Sequence, residues 1–254
     1  MHHRELELTI AAQPNETTCG PTSLHAVYRY WGDDLPLERV IDEVQGLETG
    51  GTLGVLLACH ALRRGYRAAL YTYNLNVFDP TWFQLSRADL RNRLLRQLEH
   101  KTDAKLRLAS EAFLDFLDLG GELRLVDLSP RLIRRLLDRE IPILTGLSAT
   151  FLYRSPREIG PRCDYDDIRG EPAGHFVVLC GYDPRSHKVT VADPLHPNPM
   201  SPGQLYSVPI ERLTTAILLG VLTYDANLLV LEPKPGAKIE TVNNHRTTLS
   251  STHL

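Results

Sequence analysis

Apolar side chains recur every three or four positions through the first half of the chain. The clearest run begins at Cys19, carries Leu24, Val27 and Tyr28 on one face, and stops at Gly32. This spacing is typical of an amphipathic helix. The same periodicity predicts further helices over residues 36–45, 52–65, 87–102, 106–119 and 130–139.

Two of these helices follow a side chain that can cap their first turn. Thr52 stands at the start of the third predicted helix, where its hydroxyl can accept a hydrogen bond from a backbone N–H. Ser86 precedes the fourth, and Asp89 follows it three residues later, as in a capping box. We therefore expect these two helices to begin at these residues.

Short apolar runs predict strands, most of them in the second half. They cover residues 66–73, 123–126, 141–148, 176–182, 188–192 and 227–231, with one more helix at 209–218. Residues 183–187, Asp-Pro-Arg-Ser-His, predict a hairpin turn. Helices followed by antiparallel strands are the order of an α+β fold. We expect one folded domain over residues 1–232 and a mobile polar tail over 233–254.

Composition narrows the class of protein. The chain has 254 residues, 43% of them hydrophobic and 23% charged, which is ordinary for a globular protein. Its formal charge of −3 argues against a nucleic-acid partner or an anionic membrane surface. The N-terminus lacks the apolar core of a signal peptide, and the longest uncharged apolar stretches are too short to span a bilayer. We expect a cytoplasmic protein without membrane insertion.

The four cysteines form no CxxC pair, so they predict neither a zinc ribbon nor a redox dithiol. No metal or organic cofactor is implied. Cys59 and Cys180 lie on apolar faces and are interpreted as core residues. Cys163 is interpreted as a loop thiol. The acidic loop at residues 161–167, just before His175, is interpreted as a solvated surface loop, with a border of the site as the alternative.

Cys19 differs from the other three because it stands where a helix is predicted to begin. The free N–H groups and partial positive charge of a helix N-terminus favour a thiolate, the nucleophilic form of cysteine. Pro21 suits the first turn because its missing N–H would have no partner there, and Gly20 leaves room for a substrate. Cys19 is therefore the candidate nucleophile.

A thiolate nucleophile needs an imidazole partner. His175 opens an apolar strand and follows a glycine, which leaves space beside its ring. Asp193 ends the next strand, across the predicted hairpin, where it can accept the second ring N–H of His175. Gln13, six residues before Cys19, offers an amide donor that could form an oxyanion hole together with the Cys19 backbone N–H.

These motifs occur in the order found in a known family. Gln13 six residues before Cys19-Gly20-Pro21, Gly-His-Phe-Val-Val-Leu-Cys-Gly-Tyr-Asp at 174–183, and Val-Ala-Asp-Pro ending at Pro194 resemble the C39 and C39-like cysteine peptidases of the papain superfamily. The resemblance implies a papain-like fold, with a helical lobe followed by an antiparallel sheet lobe. It implies Cys19 as nucleophile, His175 as general base and acid, Asp193 as orienting residue and Gln13 in the oxyanion hole.

The chain also departs from that family. Thr18 stands where many members have an acidic residue, and there is no phosphate-binding loop of the transporter ATPases. Specificity for double-glycine leader peptides therefore does not carry over. Residues 74–140 form a predicted helical insert that exceeds a minimal C39 core.

The expected activity is cleavage of a peptide or amide bond through a Cys19 thioester. Two alternatives stay open at this point. The acyl group could pass to an amine instead of water, as in the γ-glutamyl transfer of phytochelatin synthase on a related scaffold. The domain could also bind peptides without turnover.

Overall fold

The computed structural model describes residues 4–48, 50–160 and 162–234; most of the predicted polar tail lies outside these residues. The helices are α1 (Cys19–Tyr30), α2 (Leu37–Glu43), α3 (Gly54–Arg63), α4 (Arg87–His100), α5 (Ala104–Asp118), α6 (Pro130–Asp138), α7 (Ala149–Tyr153) and α8 (Ile210–Leu219). The strands are β1 (Arg4–Glu5), β2 (Tyr66–Thr72), β3 (Glu122–Arg124), β4 (Ile143–Ser148), β5 (Glu158–Ile159), β6 (Asp164–Tyr165), β7 (Gly174–Asp183), β8 (Lys188–Ala192), β9 (Leu205–Pro209) and β10 (Asn227–Pro233). Short 3₁₀ helices cover Pro80–Gln84 and Gly220–Thr223.

One sheet organises the molecule. Its strands lie in the order β3-β2-β10-β4-β7-β8-β9, with β1 paired to β7, while β5 and β6 form a separate two-stranded ribbon. Every pair in the large sheet is antiparallel except β2 with β3. Strand β4 is buried along its whole length, which explains why its sequence is a continuous apolar run. The predicted α+β class is confirmed.

Helix α1 packs on the central strand β7, and close contacts fix its position. The Ser23 hydroxyl donates to the Phe176 carbonyl oxygen at 3.1 Å. A Cβ at Gly20 would lie 2.7 Å from the Thr52 methyl and 3.2 Å from the Phe176 ring. Gly20 is therefore needed for packing of the helix on the sheet, and not only for the approach of a substrate.

Two details of the helix predictions differ in outcome. Ser86 does cap α4, accepting a hydrogen bond from the Asp89 N–H at 3.2 Å. The prediction that Thr52 caps α3 is wrong, because its hydroxyl donates to the Gln45 carbonyl. The Gly54 N–H instead donates to Asp225 at 2.9 Å. A side chain 171 residues away in sequence has replaced the local cap.

The predicted insert at residues 74–140 is not wholly helical. Its strand β3 extends the main sheet beside β2, and α6 packs against β7 and β4. Helices α4 and α5 pack on each other, and α5 covers α3. Within the described ranges no helix is both long and apolar enough to cross a membrane. The cytoplasmic location stays a prediction.

Candidate active site

Cys19 is the first residue of α1 and is largely buried. The helix begins after Thr18, whose side chain does not cap it but donates to the Asn15 carbonyl at 3.0 Å. No acidic residue stands in the first turn. The N–H groups and partial positive charge of the helix terminus are therefore directed at the Cys19 region without a competing carboxylate.

His175 is the second residue of β7 and pairs with Leu147 of β4. Its Nε2 lies 2.8 Å from Asp193 Oδ1. The Cys19 side chain is close enough to raise the pKa of the His175 ring, and Nδ1 is the ring nitrogen that Asp193 leaves unused. The hairpin of β7 and β8 thus holds His175 against Asp193, and His175 and Cys19 line the same groove.

Asp193 is completely buried and accepts four hydrogen bonds. Oδ1 accepts from His175 and from the Leu195 N–H at 2.9 Å. Oδ2 accepts from the hydroxyls of Tyr153 and Tyr206, each at 2.7 Å. These two tyrosines had no signal in the sequence, because Tyr153 belongs to a short helix after β4 and Tyr206 reaches Asp193 only through pairing of β9 with β8.

The electrostatics of this cluster favour its charged forms. Burial by itself lowers the pKa of His175. Interactions with Asp193 and Cys19 raise it by more than burial lowers it, and the net result is a pKa of about 10. Burial raises the pKa of Asp193, yet His175 and the two tyrosine hydroxyls hold it well below its usual range. A protonated imidazole beside an ionised, buried carboxylate is the arrangement that these surroundings stabilise.

Gln13 lines the groove that contains Cys19 and His175, and hydrogen bonds connect it to the loop after Asp193. Its backbone N–H donates to the Pro194 carbonyl at 2.8 Å. Its side-chain Nε2 donates to the Asn15 carbonyl at 2.9 Å, which commits one of its two hydrogens. Gln13 Oε1 is buried, and no described residue hydrogen-bonds it.

The other three cysteines occupy different surroundings. Cys59 and Cys180 are buried and donate to backbone carbonyls at 3.6 and 3.7 Å. Burial raises the pKa of each to about 12. Burial and the neighbouring Glu158 raise the pKa of Cys163 to about 11. None of the three is set up to be a thiolate at neutral pH.

The groove around Cys19 and His175 has a volume of about 660 Å³. Arg162, Cys163 and Tyr165 line it, and Arg162 and Tyr165 are solvent-exposed, so the loop that carries them is a surface loop that borders the groove. Lys105 of α5 and the buried Asp225 also line it. Across the described part of the chain, no three His, Cys, Asp or Glu side chains lie close enough to hold a metal ion.

A family model and a solved structure show which known proteins this chain resembles. Residues 129–208 match the model of the Peptidase_C39 like family. A Bacillus anthracis protein assigned as a C39-like peptidase superposes with a TM-score of 0.51 at 14% identity, over 92% of this chain and 99% of that one. The resemblance to C39-like peptidases that the motifs predicted is therefore confirmed, together with the fold.

Two further solved structures are more distant. A double-glycine motif protease from an AMS/PCAT transporter, in complex with the leader peptide, gives a TM-score of 0.43 at 13% identity. The peptidase domain of Streptococcus ComA, a bi-functional ABC transporter, gives 0.41 at 12%. Each match covers 92% of this chain and 100% of the other. A search of curated proteins found no match.

Proposed function

We propose that the protein is a cysteine peptidase or amidase with Cys19 as nucleophile, His175 as general acid and base, and Asp193 as the residue that orients His175. The observation that carries the proposal is that Cys19, at the start of α1, and His175 line one groove and interact electrostatically, while His175 Nε2 lies 2.8 Å from Oδ1 of the buried Asp193. A thiol, an imidazole and a carboxylate in this order are the parts that acyl transfer needs.

The reaction proceeds in two halves. The Cys19 thiolate attacks the substrate carbonyl carbon, and the resulting tetrahedral oxyanion collapses as the C–N bond breaks. His175 gives its Nδ1 proton to the departing amine, leaving a thioester on Cys19. His175 then takes a proton from water, whose oxygen attacks the thioester, and the acid product leaves as the thiolate and imidazolium reform.

Gln13 is proposed to stabilise the oxyanion. The second Nε2 hydrogen, not used by Asn15, and the Cys19 backbone N–H are the two donors. Gln13→Ala is expected to lower kcat by about 10²–10³, as for other oxyanion-hole donors. Cys19 should still alkylate at close to the wild-type rate, because alkylation develops no oxyanion. A lower melting temperature with turnover lost only in proportion to unfolded protein would instead make Gln13 structural.

The proposal is tested by thiol labelling followed by a substrate screen. Limited alkylation with iodoacetamide near pH 7, mapped by mass spectrometry, should modify Cys19 before the other cysteines. Cys163→Ala is the matched control, because Cys163 also lines the groove. Cleavage of a peptide library should disappear in Cys19→Ala and persist in Cys163→Ala. Earlier labelling of Cys163 or cleavage by Cys19→Ala would contradict the proposal.

The same screen decides between water and an amine as acyl acceptor. Products are analysed with and without an added amine such as glycinamide. Free acid as the main product in both cases supports hydrolysis. Formation of the new amide as the main product would make the protein an acyl transferase. Labelling of Cys19 without any turnover would favour the alternative in which the domain binds peptides without cleaving them.

A further inference from the structure

One carboxylate in the groove has no part in the proposed mechanism. Asp225 is 6% exposed and lies between the second 3₁₀ helix and β10. Its Oδ1 accepts the Gly54 N–H at the start of α3. The groove that contains Cys19 and His175 is also lined by Asp225.

Glycine makes the room that Asp225 occupies. Gly146 of β4 pairs with Phe176 of β7 on one side and with Asn227 of β10 on the other. A Cβ at Gly146 would lie 2.4 Å from the Asp225 Cβ and 3.1 Å from the Phe176 ring. Any larger residue at this position would displace the carboxylate or the ring.

The same ring connects Asp225 to the nucleophile. Phe176 follows His175, and its other side lies 3.2 Å from where a Cβ of Gly20 would stand. The Phe176 ring therefore lies between the residue after Cys19 and the residue that contacts Asp225.

Asp225 also lacks a cation of its own. Among the described residues, no Lys, Arg or His nitrogen comes within the 4.0 Å of an ion pair with Asp225. Lys105 is the nearby cation, but its Nζ stands 5.2 Å from the centre of the Tyr224 ring. Burial raises the pKa of Asp225 to about 7, although the Gly54 N–H, Lys105 and Asn227 lower it in part.

A buried carboxylate held by neutral amides, the Gly54 N–H and the Asn227 side chain, and without an ion-pair partner is stabilised by a cation that reaches it. We infer that Asp225 forms a specificity subsite for a positively charged group of the substrate, whose aliphatic stem packs on Phe176. The group is a Lys or Arg side chain near the scissile bond, or the ammonium of a substrate N-terminus. This inference rests on the proposed function, because it takes Cys19 as the attacking atom.

The test uses tripeptide chloromethyl ketones, which form a bond from Cys19 Sγ to the reagent CH₂ as chloride leaves. In N-acetylated reagents built on glycine, one position at a time carries lysine or the neutral norleucine. A triglycine reagent with a free N-terminus, compared with its acetylated form, tests the terminal ammonium. The second-order rate of Cys19 labelling is measured by intact-protein and peptide mass spectrometry.

At one position, or for the free N-terminus, we expect the cationic reagent to label about tenfold faster than its neutral partner. Asp225→Asn keeps an oxygen for the Gly54 N–H and should reduce that ratio to within about twofold. Lys105→Met should raise the ratio, because it removes a competing cation.

No cationic preference at any position, or a preference that survives Asp225→Asn, would overturn the inference while labelling by the neutral reagents still supports the proposed function. Failure of every reagent to label Cys19 would overturn both. If Asp225→Asn does not fold, an unchanged ratio in Lys105→Met counts against the subsite.

Discussion

Two aspartates are buried in this protein with closely similar partners. Asp33, after α1, accepts from both Arg64 Nε and Nη2 at 2.6 Å and from the Tyr66 hydroxyl at 3.1 Å. It also accepts from the backbone N–H two residues later, at Leu35. Asp193 likewise has a cationic side chain, tyrosine hydroxyls and the N–H two residues later.

The difference lies in whether the cation can lose its proton. The Arg64 guanidinium stays charged at any pH the protein meets, and its pKa is raised further by Asp33. That pair ties the end of α1 to the end of α3. His175 titrates, and its second nitrogen faces a thiol. Under the proposed function, the proton that His175 can lose is what distinguishes the surroundings of Asp193 from those of Asp33.

The largest predicted loss of turnover distinguishes His175 from Arg64, the side chains that pair with the two aspartates. His175→Gln is expected to lower turnover by roughly 10³–10⁶-fold, because neither a thiolate partner nor a proton donor remains. Arg64→Gln should leave turnover per folded molecule unchanged and reduce the free energy of unfolding, by up to about 3–5 kcal/mol for a broken buried pair. Active-site titration together with urea unfolding measures both. Comparable turnover losses in the two variants would remove the distinction.

The next largest effect is the difference in kcat between variants of Asp193 and Asp33. Asp193→Asn is expected to lower kcat by about tenfold or more with KM little changed, because the imidazole loses its orienting charge but keeps a hydrogen-bond partner. Asp33→Asn should destabilise the fold and leave kcat of the folded fraction alone. A change confined to KM in Asp193→Asn would count against its role as an orienting residue.

The pH dependence of stability offers a sharper contrast. The pKa of His175 rises from an ordinary 6.5 to about 10 on folding. Its contribution to stability is therefore complete below pH 6.5 and is lost as pH rises through about 10. The gap in melting temperature between wild type and His175→Gln should shrink over that window. The gap between wild type and Arg64→Gln should stay constant there, because Arg64 does not titrate. Parallel gaps would mean that His175 is not charged in the folded protein.

The comparison also shows how far the sequence could lead. Cys19 and His175 carry local signals, a helix start and the opening of an apolar strand, and both line one groove in the structure. Tyr206 and Asp225 carry none, because Tyr206 reaches Asp193 through the pairing of β9 with β8 and Asp225 reaches the groove from the loop before β10. Thr52 shows the same limit. Its sequence position is typical of a helix cap, but the Gly54 N–H at the start of α3 donates to the distant Asp225 carboxylate instead. Local patterns predict elements, whereas the partners of a buried charge depend on tertiary contacts.

The smallest expected effect concerns the tyrosine hydroxyls. Tyr66→Phe and Tyr206→Phe each remove one hydrogen bond to a buried carboxylate, at a cost of about 1.5–3 kcal/mol of stability for a bond to a charged group. Tyr206→Phe should in addition lower kcat a few-fold with KM unchanged, because the Asp193 carboxylate that orients His175 is held less firmly. Tyr66→Phe should not change kcat. Steady-state kinetics at a temperature well below each melting temperature, where both variants are folded, separate the two. Equal losses of melting temperature with kcat unchanged in both would show that Tyr206 supports the fold alone, as Tyr66 does.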